Sequence, residues 1–335
     1  MTKSTIVGYP RIGVQRELKF AVESFFRKEI TEKELEKTAK ELRESYLKTQ
    51  KEKGIDIIPS NDFSFYDNVL DTAFLLNIIP KRYKELNLSK LGTYFAMARG
   101  YQEDGKDVKA LPMKKWFNTN YHYIVPEIED DTKILINDDK PFALYNEAKE
   151  FGIDTKPVIT GPFTMLKLIN NKSNKDWTID FINVYKDIIS KFAKENISYL
   201  QIDEPILVTD LDKNDIDLFN KIYKEVLGVN HDYKIILQTY FGDVRDIYED
   251  IIKLDFDGYG FDFIEGYRNL ELIKKYAFPK NKLLFAGLVN GKNIWRNNYK
   301  NTIETFNELK GYVNEENLVL STSCSLLHVP YTVKN

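Results

Sequence analysis

Thr5-Ile6-Val7 runs directly into Gly8-Tyr9-Pro10-Arg11-Ile12-Gly13 and then into Arg16-Glu17-Leu18-Lys19. A β-branched run, a turn holding two glycines and a proline, and a helix that opens with basic residues make a strand-loop-helix unit whose loop could hold an anion. The same alternation recurs along the chain. Seven further short apolar runs, Ile55–Ile58, Pro157–Thr160, Tyr199–Ile202, Ile235–Thr239, Gly258–Phe261, Leu283–Ala286 and Leu318–Ser321, are separated by helical stretches. Strand and helix in strict succession predict βαβ units and a parallel sheet, and eight strands are the number that closes a (β/α)8 barrel. Several runs are apolar on both faces and end in polar or turn residues, so the ligand face is expected at those strand ends.

Two departures from an even eightfold pattern stand out. The stretch from about residue 63 to about residue 155 is too long for one crossover and contains amphipathic segments such as Leu91–Arg99, so a helical insertion between strands 2 and 3 is expected. Thr31 followed by Glu34 reads as a capping box that starts a charged helix over Glu32–Lys51. After the eighth run only about a dozen residues follow, interrupted by Pro330, and no eighth helix is visible. This predicts a TIM-type barrel with the eighth helix missing and an apolar strip uncovered, as a carboxy-terminal truncation would leave it.

The chain has 335 residues, 43% of them hydrophobic, enough for a large core. A net charge of -3 argues against a global nucleic-acid-binding surface and leaves room only for a local anion site. There is no apolar run near the roughly 20 residues of a membrane span and no signal-peptide core at the start, so a cytoplasmic protein without membrane contact is expected. Cys324 is the single cysteine, which excludes an intrachain disulfide and restricts metal chemistry.

Asp203-Glu204-Pro205 closes a buried run and offers two carboxylates at a barrel rim for acid, base or ligand roles. Adjacent strand residues point to opposite faces, so at most one of the two reaches the mouth unless the strand has ended; otherwise one caps a loop and the other forms an ion pair. With Asp262 at another strand end, a glycosidase-like pair is a further option. A catalytic zinc site needs about three protein ligands. His122, His231, His328 and Cys324 are the donors besides carboxylates, and no convincing set of three converges in sequence, so no metal is expected here.

The opening segment, together with Asp62-Phe63-Ser64-Phe65-Tyr66-Asp67, Lys114-Lys115-Trp116-Phe117-Asn118-Thr119-Asn120-Tyr121-His122-Tyr123, Gln201-Ile202-Asp203-Glu204-Pro205 and Ser323-Cys324-Ser325-Leu326-Leu327-His328-Val329-Pro330, resembles the amino-terminal half of cobalamin-independent methionine synthase over nearly the whole chain. The resemblance implies that residues 1–335 form one amino-terminal folate-binding barrel domain. It implies binding of 5-methyltetrahydropteroyl-triglutamate, with Arg16, Glu17, Leu18, Lys19 and Lys115 at the positions of the family's folate segment. Lysine and arginine suit a tail of carboxylates, and a helix start adds a favourable dipole. It also implies that the zinc that activates homocysteine lies in a carboxy-terminal barrel absent from this chain, so that the fragment is catalytically silent. Two other classes remain: a free-standing non-catalytic folate-binding or scaffold barrel, and a barrel hydrolase using Asp203, Glu204 and Asp262.

Overall fold

The computed structural model describes residues 2–330. Eight parallel strands, β1 (Lys3–Ser4), β2 (Ile58–Ser60), β3 (Thr155–Thr160), β4 (Tyr199–Asp203), β5 (Lys234–Gln238), β6 (Gly258–Asp262), β7 (Leu283–Val289) and β8 (Leu318–Thr322), form one sheet in chain order. β8 pairs with β1, and a parallel bridge between Thr5 and Ile57 joins β1 to the chain entering β2, so the sheet curls back on itself as a barrel. Helices α1 (Glu17–Phe26) and α2 (Glu32–Glu52) link β1 to β2; α7 (Pro162–Leu168) and α8 (Thr178–Ala193) link β3 to β4. α9 (Lys213–Val226), α10 (Tyr248–Ile251), α11 (Arg268–Tyr276) and α12 (Tyr299–Leu309) fill the later crossovers.

Between β2 and β3 lie α3 (Asn68–Leu75), α4 (Lys81–Lys84), α5 (Lys90–Arg99), a hairpin of Met113–Lys115 with His122–Ile124, and α6 (Lys140–Glu150). They carry a core of their own, in which Leu70, Phe74, Tyr83, Tyr94, Phe95 and Ile124 meet Leu35 of α2. α2 begins where the sequence places it: Thr31 Oγ1 accepts from Glu34 N–H at 3.3 Å while Glu34 Oε2 accepts from Thr31 N–H at 2.7 Å. After β8 the described residues hold only a short 3-10 turn, Leu326–His328; the expectation about a following helix extends into residues 331–335, outside the described residues.

Every strand differs from the sequence reading by one or a few residues at one or both ends; β7 runs on to Val289 and β3 starts at Thr155. The first strand is short, Lys3–Ser4; the Thr5 N–H still donates to the Leu320 carbonyl at 2.8 Å, and by Val7 the N–H donates to the Thr322 hydroxyl at 3.1 Å in place of a strand carbonyl. The second strand starts at Ile58, after the bridging Ile57. The two faces also differ in character. Leu200, Ile202, Ile235, Leu237, Leu284 and Ala286 pack outward into the helix layer. Ile57, Ile236, Phe285 and Val319 point inward, where they share the barrel axis with the fully buried Lys156 and Gln201. Expecting apolar residues on both faces overlooked this polar axis.

The β4 end fixes the helix layer as well. Glu204 turns outward, accepts from the Phe163 and Thr164 N–H groups at 3.0 and 2.6 Å and from the Tyr223 hydroxyl at 2.5 Å, and so caps α7 from the neighbouring crossover. A Cβ at Gly161 would overlap that carboxylate. Gly161→Ala is therefore expected to destabilise the fold by about 1–3 kcal/mol. Gly228→Ala, where the nearest atom to a new Cβ lies at 3.4 Å, should stay within about 0.5 kcal/mol. Urea unfolding midpoints of the two variants check the contrast.

Candidate ligand site at the barrel mouth

The carboxyl ends of the strands frame a cavity whose floor is Asp203. Gly8 and Arg11 reach it from the loop after β1, Asp62, Ser64 and Asp67 from the loop after β2, and Tyr240 from the loop after β5. The hairpin supplies Trp116, Tyr121 and Tyr123, and the turn after β8 supplies Ser325 and His328. Rings lock these loops together: Tyr121 and Phe241 each meet His328 edge-on, at 5.2 and 5.3 Å between centroids. Leu326 N–H donates to the Gly8 carbonyl at 2.9 Å, tying the last strand's turn to the first.

A hydrogen-bonded chain runs up the barrel axis to this floor. Lys156 Nζ donates to Gln201 Oε1 and lies 3.4 Å from Thr5 Oγ1; Gln201 Nε2 donates to Asp203 Oδ1 at 2.7 Å; and the Tyr240 hydroxyl donates to Asp203 Oδ2 at 3.3 Å. The Lys156 ammonium also sits 5.3 Å over the Phe285 ring. Burial pushes the Asp203 carboxyl up to about 7 against the pull of Gln201 and Lys156, and pushes Lys156 down to about 8. Asp62, whose Oδ2 accepts from Tyr9 N–H at 2.7 Å, is raised by burial to about 6. Asp67 caps α3 through Leu70 N–H at 2.8 Å, also accepts from Ile124 N–H at 2.9 Å, and is raised to about 7. These groups are buried in low dielectric, where the charged forms are disfavoured.

Of the carboxylates singled out from sequence, only Asp203 opens to the cavity. Glu204 is raised to about 7 by burial and committed to α7. Asp262 accepts from Phe241, Ile264 and Glu265 N–H groups at 3.0, 2.7 and 3.0 Å, which occupies both oxygens and shapes the loop after β6. The alternation argument holds: the two neighbours Asp203 and Glu204 serve opposite faces. The carboxylates offer no free acid-base pair for a hydrolase.

Arg16, Glu17, Leu18, Lys19 and Lys115 do not line the cavity; the first four lie at the start of α1 and Lys115 on the hairpin. Arg16 stands at the start of α1 in the left-handed region, φ 63°, exposed, its amide donating to Gly13 O at 3.2 Å. A non-glycine residue held there stores about 1 kcal/mol of strain. Glu17 accepts from Gln15 N–H at 3.0 Å and shapes the turn. Leu18 is buried against Ala39, Tyr46 and Phe63 and anchors the segment. Lys19 lies 3.7 Å from Glu23 with its side chain about half exposed. Lys115 is exposed on the hairpin, opposite His122. Neither Arg16 nor Lys115 has an ion-pair partner among the described residues.

The donors do not fit a resident zinc. Among the described residues no three His, Cys, Asp or Glu side chains form a metal-sized group. Cys324 is buried with its thiol pushed up to about 12 by desolvation, and burial takes His328 down to about 4. His231 closes its own turn, with Nδ1 2.7 Å from Val229 O.

Sequence reasoning missed Arg11, Lys156 and Tyr240 as members of the site. Arg11, in the first loop, lines the cavity and donates through Nη1 to the Ser64 carbonyl. Lys156 directly precedes the third apolar run, where a lysine reads as a solvated strand edge; its inward parity was the available signal.

A curled parallel sheet with a cavity at the carboxyl ends of its strands defines a barrel-type α/β domain. The family model described as cobalamin-independent synthase, N-terminal domain, matches residues 3–314, and the chain belongs to that family. It is 54% identical over 336 residues to a protein of Lactococcus lactis subsp. lactis (strain IL1403) and 51% identical over 335 residues to one of Campylobacter jejuni subsp. doylei, both named 5-methyltetrahydropteroyltriglutamate–homocysteine methyltransferase. In each case 99% of this chain is covered and 44% of the relative, so the chain spans less than half the length of these relatives. In fold it is similar to the structure of a B12-independent methionine synthase from Shewanella sp. W3-18-1 in complex with selenomethionine, with TM-score 0.70, 14% identity, and 99% of this chain and 93% of that one covered. A structure described as a B12-independent methionine synthase from Listeria monocytogenes matches with TM-score 0.64, 18% identity, and 97% and 90% coverage. No helix among the described residues is long and apolar enough to cross a membrane.

The buried carboxyls set the pH dependence of stability. Asp62, Asp67, Asp203, Glu204 and Asp262 keep protons up to about pH 6 to 7 in the folded state and lose them near 4 when unfolded. The folded state thus binds more protons over that window, and stability falls as pH rises through it. His328 acts the other way: its contribution is present above its ordinary 6.5 and lost as pH falls through about 4. One histidine against five carboxyls leaves a net fall, so urea unfolding should report greater stability at about pH 5 than at about pH 7.5, with a smaller difference in Asp203→Asn.

Proposed function

We propose that this chain is the amino-terminal half of a methyltransferase that moves the methyl group of 5-methyltetrahydropteroyl-triglutamate to homocysteine, and that its own task is to hold the glutamate tail of the folate. The observation that carries the reading is the set of exposed cations at the start of α1 and on the hairpin, Arg16 and Lys115 without carboxylate partners among the described residues and Lys19 only loosely paired, in a chain of this family. Arg16 sits at the positive end of α1, and Leu18 fixes the segment to the core so that Arg16 and Lys19 remain on its outer side. Cations on a rigid element bind tail carboxylates by charge-assisted hydrogen bonds with little ordering loss.

Methyl transfer needs the homocysteine sulfur as thiolate, and zinc supplies that chemistry when bound. This chain's residues do not furnish it: Cys324 is buried and strongly protonated. In this reading the zinc and the thiol belong to a carboxy-terminal barrel, and the present chain alone carries no catalytic residue. The helices and hairpin between β2 and β3 are then an insertion into a (β/α)8 barrel, and the whole acts in the cytoplasm, where a lone thiol stays reduced.

Binding is expected to tighten from mono- to triglutamyl folate and to weaken with salt, since exposed charges are screened over about 10 Å at about 0.1 M ionic strength. Lys19→Ala and Lys115→Ala should each remove about 0.5–2 kcal/mol of triglutamate binding and leave the monoglutamate nearly untouched. Calorimetric titration with both ligands checks this; equal losses for both would move the lysines away from the tail. The chain alone should give no methionine from methyl-folate and homocysteine, with or without added zinc, and turnover by it would overturn the assignment.

A further inference from the structure

Arg11 is the only lysine or arginine lining the cavity at the barrel mouth, and no carboxylate among the described residues pairs with it. One guanidinium N–H donates to the Ser64 carbonyl; the others meet no protein acceptor among the described residues. The same cavity carries acceptors with capacity left over. Asp203 takes two donors, Gln201 Nε2 at 2.7 Å and the Tyr240 hydroxyl at 3.3 Å, against about four lone-pair sites on its carboxylate. Asp62 accepts the Tyr9 amide on Oδ2 at 2.7 Å. His328 Nδ1 is buried and has no hydrogen-bond partner among the described residues, an unfavourable state unless a group in the cavity meets it. Val7, Trp116, Tyr123 and Leu327 complete the walls with apolar surface. The cavity holds about 60 Å³, room for about four to six water-sized groups, which is the size of the ammonium, α-carbon and carboxylate of one amino acid.

We propose that the mouth cavity binds a free α-amino acid, its carboxylate on the Arg11 fork, its ammonium between Asp62 and Asp203, and its side chain along the aromatic wall toward the opening. The charge pattern selects this class. A planar guanidinium whose fork is largely unspent suits a carboxylate, which it grips through two parallel hydrogen bonds. A ligand with a second carboxylate would bring it against Asp62, Asp67 and Asp203, and a simple amine would leave Arg11 without a counter-charge. A polyol would meet the hydrogen bonds and neither charge. The ammonium has a further hydrogen to give, and the neutral imidazole of His328 offers the acceptor that nothing else takes. What is recognised is the zwitterion, so the site needs no particular atom in the side chain beyond an apolar surface for Trp116 and Tyr123 to meet. The inference stands apart from the glutamate-tail reading, because Arg16, Lys19 and Lys115 do not line this cavity.

The test titrates the chain with L-alanine, by calorimetry and by tryptophan emission, since Trp116 is the indole of the cavity. Propionate and L-alaninamide serve as analogues that each lack one charge. L-Alanine is expected to bind with Kd below about 1 mM. Each analogue should bind at least about tenfold more weakly, the measure of one lost charge-assisted contact. Arg11→Gln should erase the preference over alaninamide, and Asp203→Asn the preference over propionate; a purely structural loss would weaken all three ligands alike and keep their ratios. Trp116→Phe should abolish the emission change while calorimetry still reports binding. Lys19→Ala should leave L-alanine binding as it is and shift triglutamyl folate alone, so that failure of one reading is distinguished from failure of the other. Circular dichroism checks that the variants fold, and if Arg11→Gln does not, the analogue series and Asp203→Asn decide. No saturable binding of L-alanine, equal affinity for either analogue, or ratios indifferent to Arg11 and Asp203 would overturn the proposal.

Discussion

Side-chain alternation along Tyr199–Asp203 and into Glu204 is the constraint around which the molecule is arranged. A strand of period two cannot send neighbouring side chains to one face. Gln201 and Asp203 go inward and complete the chain from Lys156 to the mouth, while Leu200 and Ile202 go outward to the helix layer and Glu204 continues outward to cap α7. One strand thus positions the buried ammonium, the cavity floor and the neighbouring crossover at once. A one-residue slip would place an aliphatic side chain on the axis and a carboxylate against the core.

The polar axis explains the character of the mouth. Lys156 is fully buried, so its charge depends on Asp203 and Asp62, and theirs in part on it. The further carboxylates are hydrogen-bonded by amide donors: Asp67 by Leu70 and Ile124, with Arg11 adding a favourable charge, and Asp262 by three loop amides. Each is therefore a fastener whose lone pairs are taken up by backbone. That is a poor state for acid-base chemistry and a good one for holding loops at fixed spacing. The exposed cations at the start of α1 and on the hairpin are the complement, rigidly placed and left with few internal partners.

This division separates the exposed cations from the buried groups that fix the fold. Leu18 shows both demands in one segment. Its side chain fills the space between Ala39, Tyr46 and Phe63, and by doing so it dictates which way Arg16 and Lys19 face. The left-handed backbone of Arg16 fits the same picture, since the turn from Gly13 into α1 is closed by backbone and by Glu17, not by a side-chain cap.

The sequence by itself determined the class of fold, the ligand end of the barrel and the family, because these rest on local facts: short β-rich runs in succession with helices, polar residues at the ends of those runs, a capping box at Thr31 and Glu34, and motifs contiguous along the chain. It also limited Asp203 and Glu204 to opposite faces. Only the tertiary structure decided which of the two looked inward, that Lys156 was an axial group and not a strand-edge lysine, and that Arg11 and Tyr240 shared a cavity with residues more than 80 positions away. The physical reason is that parity is local but its sign is not. A strand's alternation is written in its own residues, whereas which set faces the axis is fixed by the pairing of strands remote in sequence and by the helices that cover them.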